Sequence, residues 1–238
     1  MKGLNPFMFL PSISLLNGLI AWWKMDEESG TRINANNPYS HNLADNNAIG
    51  FAAGKQGNAA SFAGGGVNNW LQALHHSSFV MADYPFTVAG WLYPLVGGDT
   101  TAAIIRKGTP GSAAGEWGMN RTSAGVVTFI VRTAANTTPS VATAGGTATN
   151  SAWHFIIGEH DPATDLISCE LNRAAIGTAA LSGGSYVGTN VLNLGGASGG
   201  TVEYKGLMDE FAVWRRLLTT EEKDQLYNAG AGMTYPLS

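Results

Sequence analysis

"GLMDEFAVWRRLLTTEEKDQLYNAG", residues 206–230, sets Asp209 and Glu210 side by side just ahead of Phe211 and Trp214. An adjacent carboxylate pair invites a hydrolase reading, one acid and one base. The alternation of the stretch argues against it. Successive side chains on a strand point to opposite faces. Leu207, Asp209, Phe211 and Val213 are therefore expected on one side, and Met208, Glu210, Ala212 and Trp214 on the other. Carboxylates on opposite faces cannot flank one glycosidic bond. Asp209 is expected to accept local hydrogen bonds beside the core, and Glu210 to pair with a cation on the sheet. Downstream, Thr219 with Glu222 three residues on forms a capping-box pattern, and Gly230 is a stop signal. The spacing predicts a helix that packs Leu226 and Tyr227 on the strands and turns Glu221, Lys223 and Asp224 to water. The whole stretch thus predicts a closing strand followed by a terminal helix.

Working outward, the rest of the chain repeats the strand pattern. Short alternating or apolar runs occur at 19–26, 59–62, 70–74, 86–94, 102–107, 116–120, 126–132, 153–161, 165–172 and 191–196. Between them lie loops rich in Gly, Asn, Ser, Thr and Pro, which supply the backbone conformations that turns require. No linker or internal repeat interrupts the series, so the 238 residues predict one all-β domain. Charged residues are 13% of the chain, about half the usual share. With a net charge of −4 and no Lys/Arg cluster longer than two, neither nucleic acid nor an anionic membrane surface is an expected partner. The lone Cys169 shares a strand face with Ile167 and Leu171 and reads as a small buried hydrophobe.

The first 17 residues differ in character. "MKGLNPFMFLPSISLLN" begins like a weak signal peptide, but Asn5, Pro6 and Pro11 break the apolar run and no small-residue cleavage site follows. No secretory signal or membrane-spanning helix is expected. Residues 1–17 are read as an arm outside a domain of residues 18–238. Phe7, Phe9, Leu10, Ile13, Leu15 and Leu16 give it an apolar surface suited to docking, on its own domain or on a partner.

Five ordered stretches carry a family resemblance: "GLIAWWKMDEESGTR", "LADNNAIGFAAGKQGNAASF", "FTVAGWLYP", "WHFIIGEHDPATDLISCELN" and "YKGLMDEFAVWRRLLTTEEKDQLYNAGAG". Together they resemble the laminin G-like jelly-roll module of the concanavalin A-like lectin/glucanase superfamily, over residues 18–236. The resemblance implies a sandwich of two antiparallel sheets with about 12–14 strands, the first and last close in one sheet, a short C-terminal helix and an extended N-terminal arm. It also implies a module that binds glycans or proteins, or builds larger surface assemblies, more often than an enzyme. The superfamily's glucanases carry a Glu-x-Asp-x-x-Glu strand. Here Glu159 and Asp161 fit it, but Thr164 stands where the second Glu belongs and Pro162 ends the strand early. No catalytic residues are assigned.

Other constellations read as structure. "GFAAGKQG" (50–57) partly resembles a phosphate loop, yet lacks one spacer residue and the Ser/Thr after Lys55, and is read as a turn entering the strand at Ala59. His75 and His76 diverge on a strand, and no zinc-type spacing exists, so no metal ligands are assigned. No cofactor is expected. Calcium stays open, since it takes oxygens from scattered loops and Asp26, Asp45, Asp83 and Asp99 sit at strand ends or in loops. Trp22, Trp91, Trp153 and Trp214 lie inside strands and are expected in the core. Trp70, Trp117 and Tyr186 lie nearer loop tips and are the candidate sugar-stacking residues. "NRT" (120–122) and "NTT" (136–138) read as chance glycosylation patterns.

The expected function is a non-catalytic structural or binding module. The leading form is a bacteriophage virion surface protein, of decoration or fibre-associated type, anchored by its arm and able to grip glycans. Its partners would be other virion proteins or further copies of itself. The alternative is a secreted or cell-surface glycan-binding lectin, extracellular in location, and a glycoside hydrolase stands last.

Overall fold

The computed structural model describes residues 15–36, 40–108, 115–135, 140–142, 145–174, 176–181, 183–197 and 202–237. In chain order the strands are β1 (Leu19–Trp23), β2 (Ala44–Asn46), β3 (Gly50–Ala53), β4 (Asn58–Phe62), β5 (Trp70–Ala73), β6 (Phe86–Pro94), β7 (Thr101–Lys107) and β8 (Trp117–Thr122). They continue as β9 (Val127–Val131), β10 (Ser140–Ala142), β11 (His154–Asp161), β12 (Leu166–Leu171), β13 (Gly177–Ala180), β14 (Leu192–Leu194) and β15 (Gly206–Trp214), before helix α1 (Thr220–Tyr227). The first sheet runs β13-β12-β11-β6-β15-β4-β3, with β1 also on β15. The second runs β10-β9-β8-β7-β14-β5-β2. All the pairings among the described residues are antiparallel. This is the jelly-roll sandwich expected from the sequence, and the first and last strands do lie together.

The core fills the space between the sheets. Met208, Phe211 and Val213 of β15, Val88 and Leu92 of β6, and Phe129 and Met119 of the second sheet all belong to it. Phe211 sits over a glycine of the neighbouring strand β6, and Phe129 over a glycine of β11 in the facing sheet. A methyl at Gly90 would stand 2.6 Å from the Phe211 ring, and one at Gly158 2.6 Å from Phe129. A second apolar layer covers the outer face of the first sheet, where Trp22, Trp91, Phe155, Ala212 and Trp214 meet Leu218 and Leu226 from the helix region. Of the four tryptophans expected in the core, Trp22, Trp91 and Trp214 are buried, but in this outer layer and not between the sheets. Trp153 is half-buried against it.

Leu15 belongs to the same layer, and its carbonyl accepts a 2.8 Å bond from the Trp214 indole. Leu16 is exposed. Phe7, Phe9, Leu10 and Ile13 lie outside the described residues, as does the 136–138 pattern.

The capping box at α1 forms as predicted: Glu222 N–H donates to Thr219 Oγ1 and Thr219 N–H to Glu222 Oε2. The helix ends earlier than expected, at Tyr227, because Asn228 takes the left-handed conformation before Gly230 is reached. Three other expectations need correction. Lys223 does not face water; it is buried between β11 and β12. Residues 50–53 are strand β3, and only Gly54–Gly57 form the turn into β4. The third concerns the face of Glu210.

Candidate functional site

Asp209 and Glu210 share a face. β15 pairs with β6 as Asp209↔Trp91 and then Ala212↔Ala89, so two residues oppose Gly90 alone. This is a β-bulge, with Glu210 in the left-handed region at φ 49°. The extra residue resets the alternation. Phe211 turns inward, while Asp209 and Glu210 both project into the outer layer, beside Trp91 and Trp22. The bulge stands where the neighbour of β15 changes: Gly206–Met208 pair with β4 and Phe211–Trp214 with β1.

Each acid closes part of that junction. Asp209 Oδ2 accepts from the Lys55 and Gln56 backbone N–H groups at 2.7 and 2.9 Å, tying down the β3–β4 turn. Glu210 accepts from the Trp22 indole. Lys24 pairs with Asp26 at 2.8 Å nearby, and Lys55 lies 4.6 Å over the Trp91 ring. Burial pushes the Asp209 carboxyl up to about 7 against the pull of its two backbone donors. Burial likewise pushes Glu210 up to about 8, with Asp209 and Asp26 adding repulsion. A cation on the sheet was the expected partner of Glu210; its contact is an indole. Both carboxyls are shifted the same way by burial, so the shifts do not divide them into an acid and a base. The geometry of the pair is that of a strand junction covered by the chain's own C-terminal segment.

Glu159, the best match to a glucanase acid, is also committed to structure. Its carboxylate meets Lys223 Nζ at 2.5 Å, Thr87 Oγ1 at 3.1 Å and the Leu218 N–H at 3.4 Å. Asp161 folds back on its own turn, accepting from the Ala163 N–H and the Thr164 hydroxyl.

The other singled-out residues are dispersed. His76 caps a short turn at Ser77–Phe79, and His75 points to Lys107. Burial lifts the Cys169 thiol to about 12, leaving it unreactive. Asp26, Asp45, Asp83 and Asp99 each accept from a different backbone N–H, at Asn58, Ile49, Ser185 and Glu203. Among the described residues no group of three or more His, Cys, Asp or Glu stands close enough to hold a metal ion. Asn120 is buried, out of reach of a glycosyl transfer.

The three candidate stacking residues have different fates. Trp117 is a core residue, 4% exposed, with its ring 5.3 Å from Phe86. Sequence placed it near a loop, but it opens β8 on the inward side. Tyr186 is half-buried at the end of the second sheet, where its N–H donates to the Arg132 carbonyl at 2.8 Å. Trp70 is half-buried on the outer face of β5, because Leu71 and Ala73 face the core.

That outer face has a polar row which sequence reasoning did not pick out. Gln72, Asn193, Arg106, Gly118 and Ile130 stand in register across β5, β14, β7, β8 and β9. Their chain neighbours Leu71, Leu192, Leu194, Ile105, Met119 and Phe129 point inward. Gln72 Nε2 donates to Asn193 Oδ1 at 3.0 Å. A methyl at Gly118 would stand 2.7 Å from Arg106 Cγ, so the glycine lets the arginine lie across its own strand neighbour. Gln72 and Arg106 are half-buried in this row, and Asn193 is buried between them. An aromatic plane beside amides and a guanidinium is the chemistry that holds sugar hydroxyls and ring faces.

A family model described as the concanavalin A-like lectin/glucanases superfamily, of laminin G type, matches residues 64–222. No curated protein sequence matches the chain. Solved structures share its fold at low identity. The binding domain of Paraclostridial Mosquitocidal Protein 1 gives a TM-score of 0.71 at 11% identity, covering 91% of this chain and 53% of that one. The binding domain of botulinum neurotoxin DC, in complex with SialylT, gives 0.68 at 9% identity, covering 90% and 52%. Trypanosoma rangeli sialidase gives 0.66 at 15% identity, covering 91% and 34%. The chain thus spans about half of these toxin domains and about a third of the sialidase.

Proposed function

We propose a function from one premise: the chain belongs to the concanavalin A-like lectin/glucanases superfamily, in its laminin G type. On this reading it is a non-catalytic carbohydrate-binding module, and its ligand lies on the outer face of the second sheet. The observation that carries the reading is the row of Gln72, Asn193 and Arg106 in register across three strands, with Trp70 on the same face. The SialylT complex of one structural neighbour supports the ligand class. The absence of catalysis is argued from the acids themselves. Glu159 is ion-paired to Lys223, and Asp209 and Glu210 close a strand junction.

The apolar composition of the arm, with Phe7, Phe9, Leu10, Ile13 and Leu16, favours attachment to a larger assembly. Leu15 packs on the outer face of the first sheet, so the arm joins the domain on the side away from the proposed ligand face. We therefore propose that the arm docks the module on a particle, a bacteriophage virion surface being the leading case and a cell surface or extracellular matrix the alternative.

One experiment addresses both parts. On a broad glycan array, with and without calcium, the full chain is expected to bind, and Trp70→Ala to weaken binding about tenfold. A chain lacking residues 1–13 is expected to keep its glycan binding and to lose self-association by light scattering. Unchanged binding by Trp70→Ala would remove the second sheet as the site. Unchanged self-association would remove the docking role of the arm.

A further inference from the structure

The glycan-binding reading leaves open what kind of sugar the second sheet takes, and the charges on that sheet narrow it. We propose that Arg106, with Arg132 beside it, anchors the carboxylate of an acidic sugar, so that the ligand is an anionic glycan. The inference rests on the carbohydrate reading above and adds the chemical class of its ligand.

Arg106 is set apart from most other cations of the chain. Lys24, Lys107, Arg173, Arg216 and Lys223 have carboxylate partners within 4.0 Å. Arg32, Arg121 and Arg215 donate to backbone carbonyls. Arg106 has neither kind of partner among the described residues. No acidic side chain can come from elsewhere, because no Asp or Glu occurs in the segments outside the described residues. Glu116 shares a recess with Arg106, Gly118, Ile130 and Arg132. Its side chain is 1% exposed and already ion-paired to Lys107.

The arrangement is therefore two like charges brought together on a partly desolvated face. Burial lowers the affinity of Arg106 for its proton, and the nearby Arg132 lowers it further. An incoming anion relieves that repulsion. A planar guanidinium grips a carboxylate through two parallel N–H···O bonds, which suits a sugar acid better than a point anion.

Size and placement agree. The recess holds ≈ 50 Å³, enough to admit a carboxylate-sized group beside Arg106. The rest of the ligand would then extend over the sheet. Trp70 stands two strands away and two residues along from Arg106, about 10 Å across and about 7 Å along the strands. A ligand that stacks on Trp70 and places its acid at Arg106 is an oligosaccharide. A long polyanion is disfavoured, since the chain's net charge is −4 and the cationic feature is one pair.

The test is titration calorimetry of the full chain against paired probes: oligogalacturonate and its methyl ester, 3′-sialyllactose and lactose, hyaluronan hexasaccharide and its carboxyl-reduced form. At least one acidic member is expected to bind about tenfold or more tightly than its neutral partner. Arg106→Gln is expected to abolish that difference while leaving the thermal midpoint unchanged, and Arg106→Lys to restore part of it. Equal affinity within every pair, or an acid preference that survives in Arg106→Gln, overturns the proposal. If neutral and acidic probes then still lose affinity in Trp70→Ala, the carbohydrate reading stands alone. If no probe binds the wild-type chain, both fall together.

Discussion

Replacing Lys223 by methionine is expected to destabilise the domain by about 3–5 kcal/mol, read as a lowered urea midpoint with an unchanged slope. The reason lies in what the helix brings to the first sheet. Lys223 sits in the first turn of α1, with its ammonium between Glu159 of β11, at 2.5 Å, and Glu170 of β12, at 3.0 Å. All three side chains are at most 10% exposed. Glu170 retains Arg173 when the lysine is removed, but Glu159 keeps only the Thr87 hydroxyl and the Leu218 N–H. A buried carboxylate without its cation is costly to keep ionised. Adding Glu159→Gln to the variant is therefore expected to recover part of the loss. A loss under about 1 kcal/mol for the single change would place this triad among exposed pairs of little consequence.

The two bulge acids are also expected to lower stability as pH rises from 5 to 8, against the opposite trend of the buried His41, His154 and His160, whose weakened hold on a proton favours folding as pH rises. Glu210 and Asp209 hold their protons in the folded chain up to about 8 and about 7, above their ordinary values. The folded state thus binds protons that the unfolded chain has already released. Their contribution is fully present below the ordinary carboxylate range and is lost as pH climbs through the folded values. For Glu210 the loss is roughly 1.4 kcal/mol per pH unit, or about 4 kcal/mol across that span. Asp209 contributes less, since two backbone N–H groups already favour its ionised form. Glu210→Gln is expected to remove this component, so that its thermal midpoint rises relative to that of the wild-type chain as pH climbs from 5 to 8. A difference between the two chains that does not change with pH would show that the bulge carries no such coupling.

The bulge also marks where sequence reading stops. The closing strand, the capping box and the inward Phe and Val residues were legible, because each follows from a local period or spacing. An uninterrupted strand period puts Asp209 and Glu210 on opposite faces, and the bulge breaks that period. Nothing in "MDEFAV" announces a glutamate at positive φ, since that conformation is imposed by the change of neighbour from β4 to β1. Lys223 was misplaced for a related reason. On a surface helix a lysine reads as solvated, and only the arrival of two carboxylates from strands 53 and 64 residues away buries it. The polar row on the second sheet was equally hidden. Gln72, Arg106 and Asn193 are unremarkable in sequence and become a row only through the pairing of β5 and β7 with β14. Trp70 was visible as an aromatic at a strand end. Trp117 looked the same and proved to be core.

Hydrogen–deuterium exchange, run with and without a glycan that binds on the array, tests the location of the site most directly. The account predicts added protection confined to β5, β7, β8 and β14, with β12, β13 and α1 unchanged. Protection concentrated on the first sheet or the C-terminal segment, with the second sheet unaffected, would contradict it.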